Sequence, residues 1–122
     1  NGTVMPHPRL DPLIAQYNVS PKLAHSGNAA ELALPPAMMA HWAAEPRAVL
    51  KFVVASPPDV AEVLALATAH AIAPAKIWLM PEGTDSATLN ARARWLAPLC
   101  VENGLTLSKR MHIDLYGDTR GT

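Results

Sequence analysis

A few short stretches of this chain carry residue types that could hold a small polar ligand. Ser20 and Lys22 flank a proline. Together they can bind a hydroxyl or a carboxylate, the lysine acting as a flexible point charge. Glu82, set between Pro81 and Gly83, can accept hydrogen bonds from an amine or a ribose. Ser56 heads a Ser-Pro-Pro-Asp run. Near the end of the chain, Gly117 and Gly121 would let a backbone approach a ligand closely, and Arg120 offers a planar fork for a carboxylate. Each of these residues also has a structural reading. A loop lysine such as Lys22 is ordinarily a solvated charge, Met80 to Gly83 is a good turn without any ligand, and Gly117-Asp118 is a common turn pair. His112 beside Ile113 reads as a structural histidine. His7, His25, His41 and His70 show no metal-ligand spacing and read as surface residues.

Placing the candidate groups on one rim takes a particular set of elements. Val49 to Val54 is a near-continuous apolar run of strand length, the pattern of a parallel strand buried on both faces. Ser56-Pro57-Pro58-Asp59 has the order of a helix start, and Val60, Val63, Leu64 and Ala67 follow as one apolar face. Ile77 to Met80 reads as a second buried strand. Ser86 is placed to cap another helix with Leu89, Ala93, Leu96 and Cys100 inward and Gly104 just past its end; Pro98 should kink or break it. Leu13 to Ser20 suggests an earlier short strand, and Pro35-Pro36 opens a helix bearing Met38, Met39 and Trp42. Leu105 to Leu107 and the alternating His112 to Tyr116 read as final strand pieces. The fold class expected is therefore α/β, with parallel strands and flanking helices. In such folds, functional groups gather at the carboxyl ends of the strands, where Ser20, Lys22, Ser56, Glu82 and the 116–120 segment would share one rim.

Composition limits the alternatives. The 122 residues are half hydrophobic, enough for a core, and too few for much more than one domain. Ten basic residues balance ten acidic ones, which leaves no basic stripe for nucleic acid. No apolar run reaches the roughly 18 residues of a membrane span. A single cysteine, Cys100, fits a reducing compartment such as the cytoplasm, and cannot by itself hold a zinc ion or an iron–sulfur cluster. The nucleotide-binding glycine motifs and the hydrolase elbow are missing. The proline-rich start, with Pro6, Pro8 and Pro12, offers nothing to cover the leading edge of a parallel sheet. This leads to the expectation of a C-terminal part of a larger domain. A small flavodoxin-like domain, complete as it stands, is the alternative.

Four stretches in order carry a resemblance: Asn1-Gly2-Thr3, Val19-Ser20-Pro21-Lys22, Leu79-Met80-Pro81-Glu82-Gly83, and His112 through Gly121, closing in Tyr-Gly-Asp-Thr-Arg-Gly. Together they resemble the C-terminal half of the 7-carboxy-7-deazaguanine synthase family of radical S-adenosylmethionine enzymes, across essentially the whole of residues 1–122. The resemblance implies a partial (β/α) barrel, usually homodimeric. It also implies a [4Fe–4S] cluster on three N-terminal cysteines, and Mg2+. The implied reaction converts 6-carboxy-tetrahydropterin to 7-carboxy-7-deazaguanine on the way to queuosine: the cluster cleaves S-adenosylmethionine, the adenosyl radical takes a hydrogen from the substrate, and the ring contracts with loss of ammonia. By the same resemblance Ser20, Lys22 and Glu82 would contact S-adenosylmethionine. Thr3 would lie near substrate or cofactor, and His112 and Arg120 would close over the pterin. The chain departs from the family in lacking the cysteine motif and the Gly-Gly-Glu-Pro stretch, and Glu82 stands where relatives often carry glutamine. These residues alone are therefore expected to bind no cluster and to be inactive. Two rivals remain, a non-catalytic βα metabolite-binding module and a half-domain that docks on a partner chain.

Overall fold

A computed structural model describes residues 2–27, 35–119 and 121 of the chain. Strands and helices alternate: β1 (Tyr17–Val19), α1 (Pro36–Ala44), β2 (Ala48–Val54), α2 (Pro57–Ala69), β3 (Ile77–Pro81), α3 (Ser86–Asn103), β4 (Thr106–Leu107) and α4 (Met111–Tyr116). The strands form one parallel sheet in the order β1-β2-β3-β4. This is the α/β class expected. Among the described residues no helix is long and apolar enough to cross a membrane.

Sequential strand order explains how the helices pack. Right-handed crossovers that always step in the same direction leave their helices on one side of the sheet. A flavodoxin-like sheet would need a reversal in the order, and none is present among the described strands. The core forms accordingly on a single face. Ala48, Leu50, Phe52 and Val54 of β2 and Ile77 and Leu79 of β3 cluster with Met39 and Trp42 of α1, Val60 and Val63 of α2, and Leu96 and Cys100 of α3. The register sets Leu50 beside Ile77 and Phe52 beside Leu79, so this layer is continuous across strands. The opposite face, with Val49, Lys51 and Val53 on β2 and Trp78 and Met80 on β3, is only half-buried. The expectation of β2 buried on both faces is thus corrected. Its apolar run comes from valines on the open face as well as from the core residues.

Local chemistry sets the element ends. Ser56 and Asp59 form a capping box at the start of α2, with prolines at the first helical positions. At α3 the cap is Asp85 rather than Ser86: its Oδ1 accepts the Thr88 N–H at 2.8 Å. The α3 helix runs through Pro98 without a break and ends at Gly104, which takes the left-handed conformation at φ 66°. Lys76, in the turn before β3, donates its ammonium to the carbonyls of Trp42, Ala43 and Glu45 at the end of α1. A cation there satisfies carbonyls that the helix itself leaves open.

The segment from His112 to Tyr116 is helix, not strand. The N–H of Asp114 reaches the Arg110 carbonyl and that of Gly117 the Ile113 carbonyl, while Lys109 pairs with Asp114 at 2.8 Å. Ile113 alone is buried among residues 111–116. Local helical bonds and a single inward side chain are sufficient for the turn. Alternation of polar and apolar residues over so few positions fits a helix as well as a strand.

Candidate functional site

A cavity of about 520 Å3 opens at the carboxyl ends of the strands. Its wall from β1 is the loop Pro21, Lys22, Leu23, His25 and Ser26; Val53 and Ala55 come from β2, Glu82 from the end of β3, and Arg110 from the segment after β4. Val53 belongs to the half-open face, so the cavity lies where that face meets the rim. Its volume falls within the usual range for small-ligand sites, roughly 300–1,000 Å3.

The β1 loop is held in place from α2. Glu62 accepts the Ala24 N–H at 3.1 Å. One turn earlier, Asp59 accepts the N–H groups of Ala55 and Ser56 at 2.7 and 2.9 Å, and lies 3.1 Å from His25 Nδ1. Asp59 is the buried acid of the core, 5% exposed. Burial alone would push its carboxyl up, but the two backbone amides, with His25 beside them, bring it below its ordinary value. The Ser26 hydroxyl donates to the Leu23 carbonyl at 2.7 Å, and Gly27 closes the turn at φ 66°.

Across the cavity, Arg92 of α3 binds both the carboxylate and the backbone carbonyl of Glu82. The Glu82 N–H continues the sheet ladder to the Val54 carbonyl at 2.8 Å. Arg110 donates to the Gly83 carbonyl at 3.1 Å. Lys22 has no polar partner among the described residues. With Glu82 matched by Arg92, the charges of Lys22 and Arg110 give the cavity a cationic lining suited to a carboxylate or another anion. His25 and the remaining Glu82 oxygen supply acceptors for hydroxyl or amine groups.

The expected site residues are thus divided. Lys22 and Glu82 line one cavity. Ser20 is half-buried just before Pro21 and does not line it. Thr3 does not line it, and its neighbours Gly2 and Val4 edge a separate hollow beside Tyr17 and Trp42. The Trp42 indole donates to the Gly2 carbonyl at 2.8 Å, which anchors that segment. His112 is exposed on α4 and does not line the cavity. Tyr116 ends helix α4 and residues 117–119 follow it, so the expectation that this segment sits at a strand's carboxyl end does not hold. Arg120 lies outside the described residues. Three contributors escaped the sequence reading: His25, taken there for a surface histidine, Arg110, and Arg92. The helix-start acid Asp59 was the available signal for the first, since a capping carboxylate has spare acceptor capacity. Among the described residues no group of three His, Cys, Asp or Glu side chains could hold a metal ion.

The chain is thus an α/β protein with a singly wound parallel βα sheet and a cationic cavity at its carboxyl rim. Its relatives narrow this further. The chain is 31% identical over 121 residues, 99% of its own length, to the 7-carboxy-7-deazaguanine synthase of Pyrobaculum aerophilum, and covers 52% of that protein. It is 34% identical along its whole length to the synthase of the same name from Halobacterium salinarum, covering 54% of it. A third synthase of that name, from Rhodopirellula baltica, is 34% identical over 73 residues. The chain is therefore similar to 7-carboxy-7-deazaguanine synthases, and spans about half the length of the curated relatives it matches. No family model matches it, and neither does any solved structure.

Proposed function

We propose that the chain is the C-terminal part of a radical S-adenosylmethionine lyase that converts 6-carboxy-tetrahydropterin to 7-carboxy-7-deazaguanine, and that its rim cavity holds S-adenosylmethionine. One observation carries this reading. Lys22, from the Ser-Pro-Lys loop, and Glu82, just after β3, lie far apart in sequence yet line the same cavity, in a chain related end to end to synthases of that product. The amino-acid end of the cofactor presents a carboxylate, and Lys22 and Arg110 are the cations available for it. The adenosine end presents hydroxyls and an amino group, for which Glu82 is an acceptor on the far wall. Ser20 helps to set the loop that carries Lys22. When bound, S-adenosylmethionine supplies the radical that starts the reaction; the residues here bind and orient it.

A [4Fe–4S] cluster does not fit the described residues. Cys100 is 3% exposed, packed in the core against the sheet, and burial pushes its thiol up, away from the thiolate a ligand requires. In this reading the cluster cysteines belong to the preceding half of the protein, as does the Mg2+ site. Thr3, His112 and Arg120 are proposed to serve the pterin, and the whole enzyme to act as a cytoplasmic homodimer.

Two measurements test the proposal. The reading frame upstream of Asn1 must encode three closely spaced cysteines, and a frame that continues without them sinks it. In the full-length protein, Lys22→Ala should raise the Kd for S-adenosylmethionine about tenfold or more, as expected for a lost charge-assisted contact. An unchanged Kd would remove the cofactor from this cavity. His112→Ala, assayed for turnover and pterin affinity separately, decides the role of that residue. If neither value changes, His112 has no part in the reaction.

A further inference from the structure

We propose that His25 is a ligand-binding residue of the rim cavity: its Nε2 accepts a hydrogen bond from a hydroxyl of the bound ligand, and Asp59 is the positioning residue that fixes the ring's tautomer. The inference rests on the reading that this cavity holds S-adenosylmethionine, and the hydroxyl in question is then one of the ribose diol.

The geometry around Asp59 is the starting point. One of its oxygens, Oδ2, is occupied by the N–H groups of Ala55 and Ser56, and the other, Oδ1, lies 3.1 Å from His25 Nδ1. A carboxylate only accepts, so an unprotonated Nδ1 would place two acceptors face to face. The Nδ1 therefore carries the proton, and in the neutral ring Nε2 is left as a bare acceptor. No described residue bonds to that nitrogen, and the ring lines the cavity. Its side chain is 30% exposed against 8% for Asp59, so the buried acid is fixed and the imidazole is presented at the opening.

The other polar groups of the cavity leave an acceptor role open. Lys22 and Arg110 can only donate. Glu82 is committed in part to Arg92. On the β1 side of the cavity the Ser26 hydroxyl has its proton on the Leu23 carbonyl, and the His25 Nε2 is the stronger acceptor for a ligand hydroxyl. A purely structural role for the pair is a weaker explanation, because the Ala24 N–H on Glu62 already fastens the same turn to α2.

Calorimetric titration of the full-length protein with S-adenosylhomocysteine, and with its 2′,3′-dideoxy analogue, separates the possibilities. Wild-type protein should bind the parent compound at least about five- to tenfold more tightly than the dideoxy analogue, the factor expected for the His25 hydrogen bond alone. His25→Ala should weaken binding of the parent by that factor while leaving the analogue's affinity unchanged. His25→Gln, whose amide oxygen can reach the Nε2 position, should restore part of the difference. If wild type binds neither compound, the cavity reading fails and this inference fails with it. If wild type binds normally and His25→Ala binds both compounds as wild type does, only the assignment of His25 is overturned. An equal loss for both compounds in His25→Ala also overturns it, since that is the mark of a structural role. With 15N-labelled histidine, the ligand should shift the Nε2 resonance of His25 while Nδ1 stays protonated; an unmoved Nε2 resonance counts against the contact.

Discussion

Arg92 holds Glu82 twice, through the carboxylate and through the backbone carbonyl, so the acid at the end of β3 does not enter the cavity as a free charge. The pair is partly solvent-exposed, and its worth to stability is that of a surface ion pair, about 1 kcal/mol or less. Arg92→Ala should accordingly leave the thermal midpoint nearly unchanged, while the released Glu82 carboxylate alters ligand affinity severalfold. Differential scanning calorimetry and ligand titration on the same preparations check both halves. A large drop in stability would show that the backbone contact matters more than the charge.

The Lys76 ammonium is surrounded by the carbonyls of Trp42, Ala43 and Glu45. Burial lowers its pKa, so the site favours the charged form only through those carbonyls and the nearby Glu45. Lys76→Met keeps the aliphatic stem but leaves the end of α1 without donors. It should cost roughly 2–3 kcal/mol, measured by denaturant unfolding, because hydrogen bonds from a charged group are lost at a partly buried helix end.

Asp59→Asn should cost roughly 1–2 kcal/mol at neutral pH through the weakened cap of α2. The pH dependence has a definite sign. The Asp59 carboxyl lies below its ordinary value of 3.8 in the folded protein, so its contribution is fully present above that value. It is lost as pH falls through the lower, folded value. Wild type and variant should therefore converge in stability in that acid range, which equilibrium unfolding at a series of pH values will show. A constant gap down to pH 2 would mean that the carboxylate's charge plays no part.

Gly83 sits at φ 151°, and a Cβ built there would come within 3.2 Å of both Leu89 and Thr88 at the start of α3. Leu89 is fully buried and cannot retreat. Gly83→Ala should destabilise by roughly 1–3 kcal/mol. It should also displace the carbonyl that Arg110 holds, and so lower ligand affinity. Chemical denaturation paired with titration distinguishes the two effects.

The sequence made some of this layout legible and hid the rest for identifiable reasons. Strands β2 and β3 stand out as apolar runs between turn residues, and Ser56 with Asp59 announces α2. Once the strands are known to be parallel, Lys22 and Glu82 must share a rim, since both follow strand ends. The half-open face was not legible, because Val49 and Val53 look like core residues from composition alone; only Lys51 between them hints at solvent. The helix at Met111–Tyr116 was missed because it is a single turn and a half held by local bonds and Ile113. The His25–Asp59 pair joins a loop to a helix 34 positions away, a contact that no spacing within either element encodes.

The turn carrying Lys22 and His25 is fastened to α2 by bonds within the chain, from Glu62 and Asp59. Its conformational entropy is therefore lost at folding rather than at binding. Association at this wall of the cavity should run at the rate of diffusive encounter without waiting for loop closure, and differences in affinity among ligands will arise in their dissociation rates.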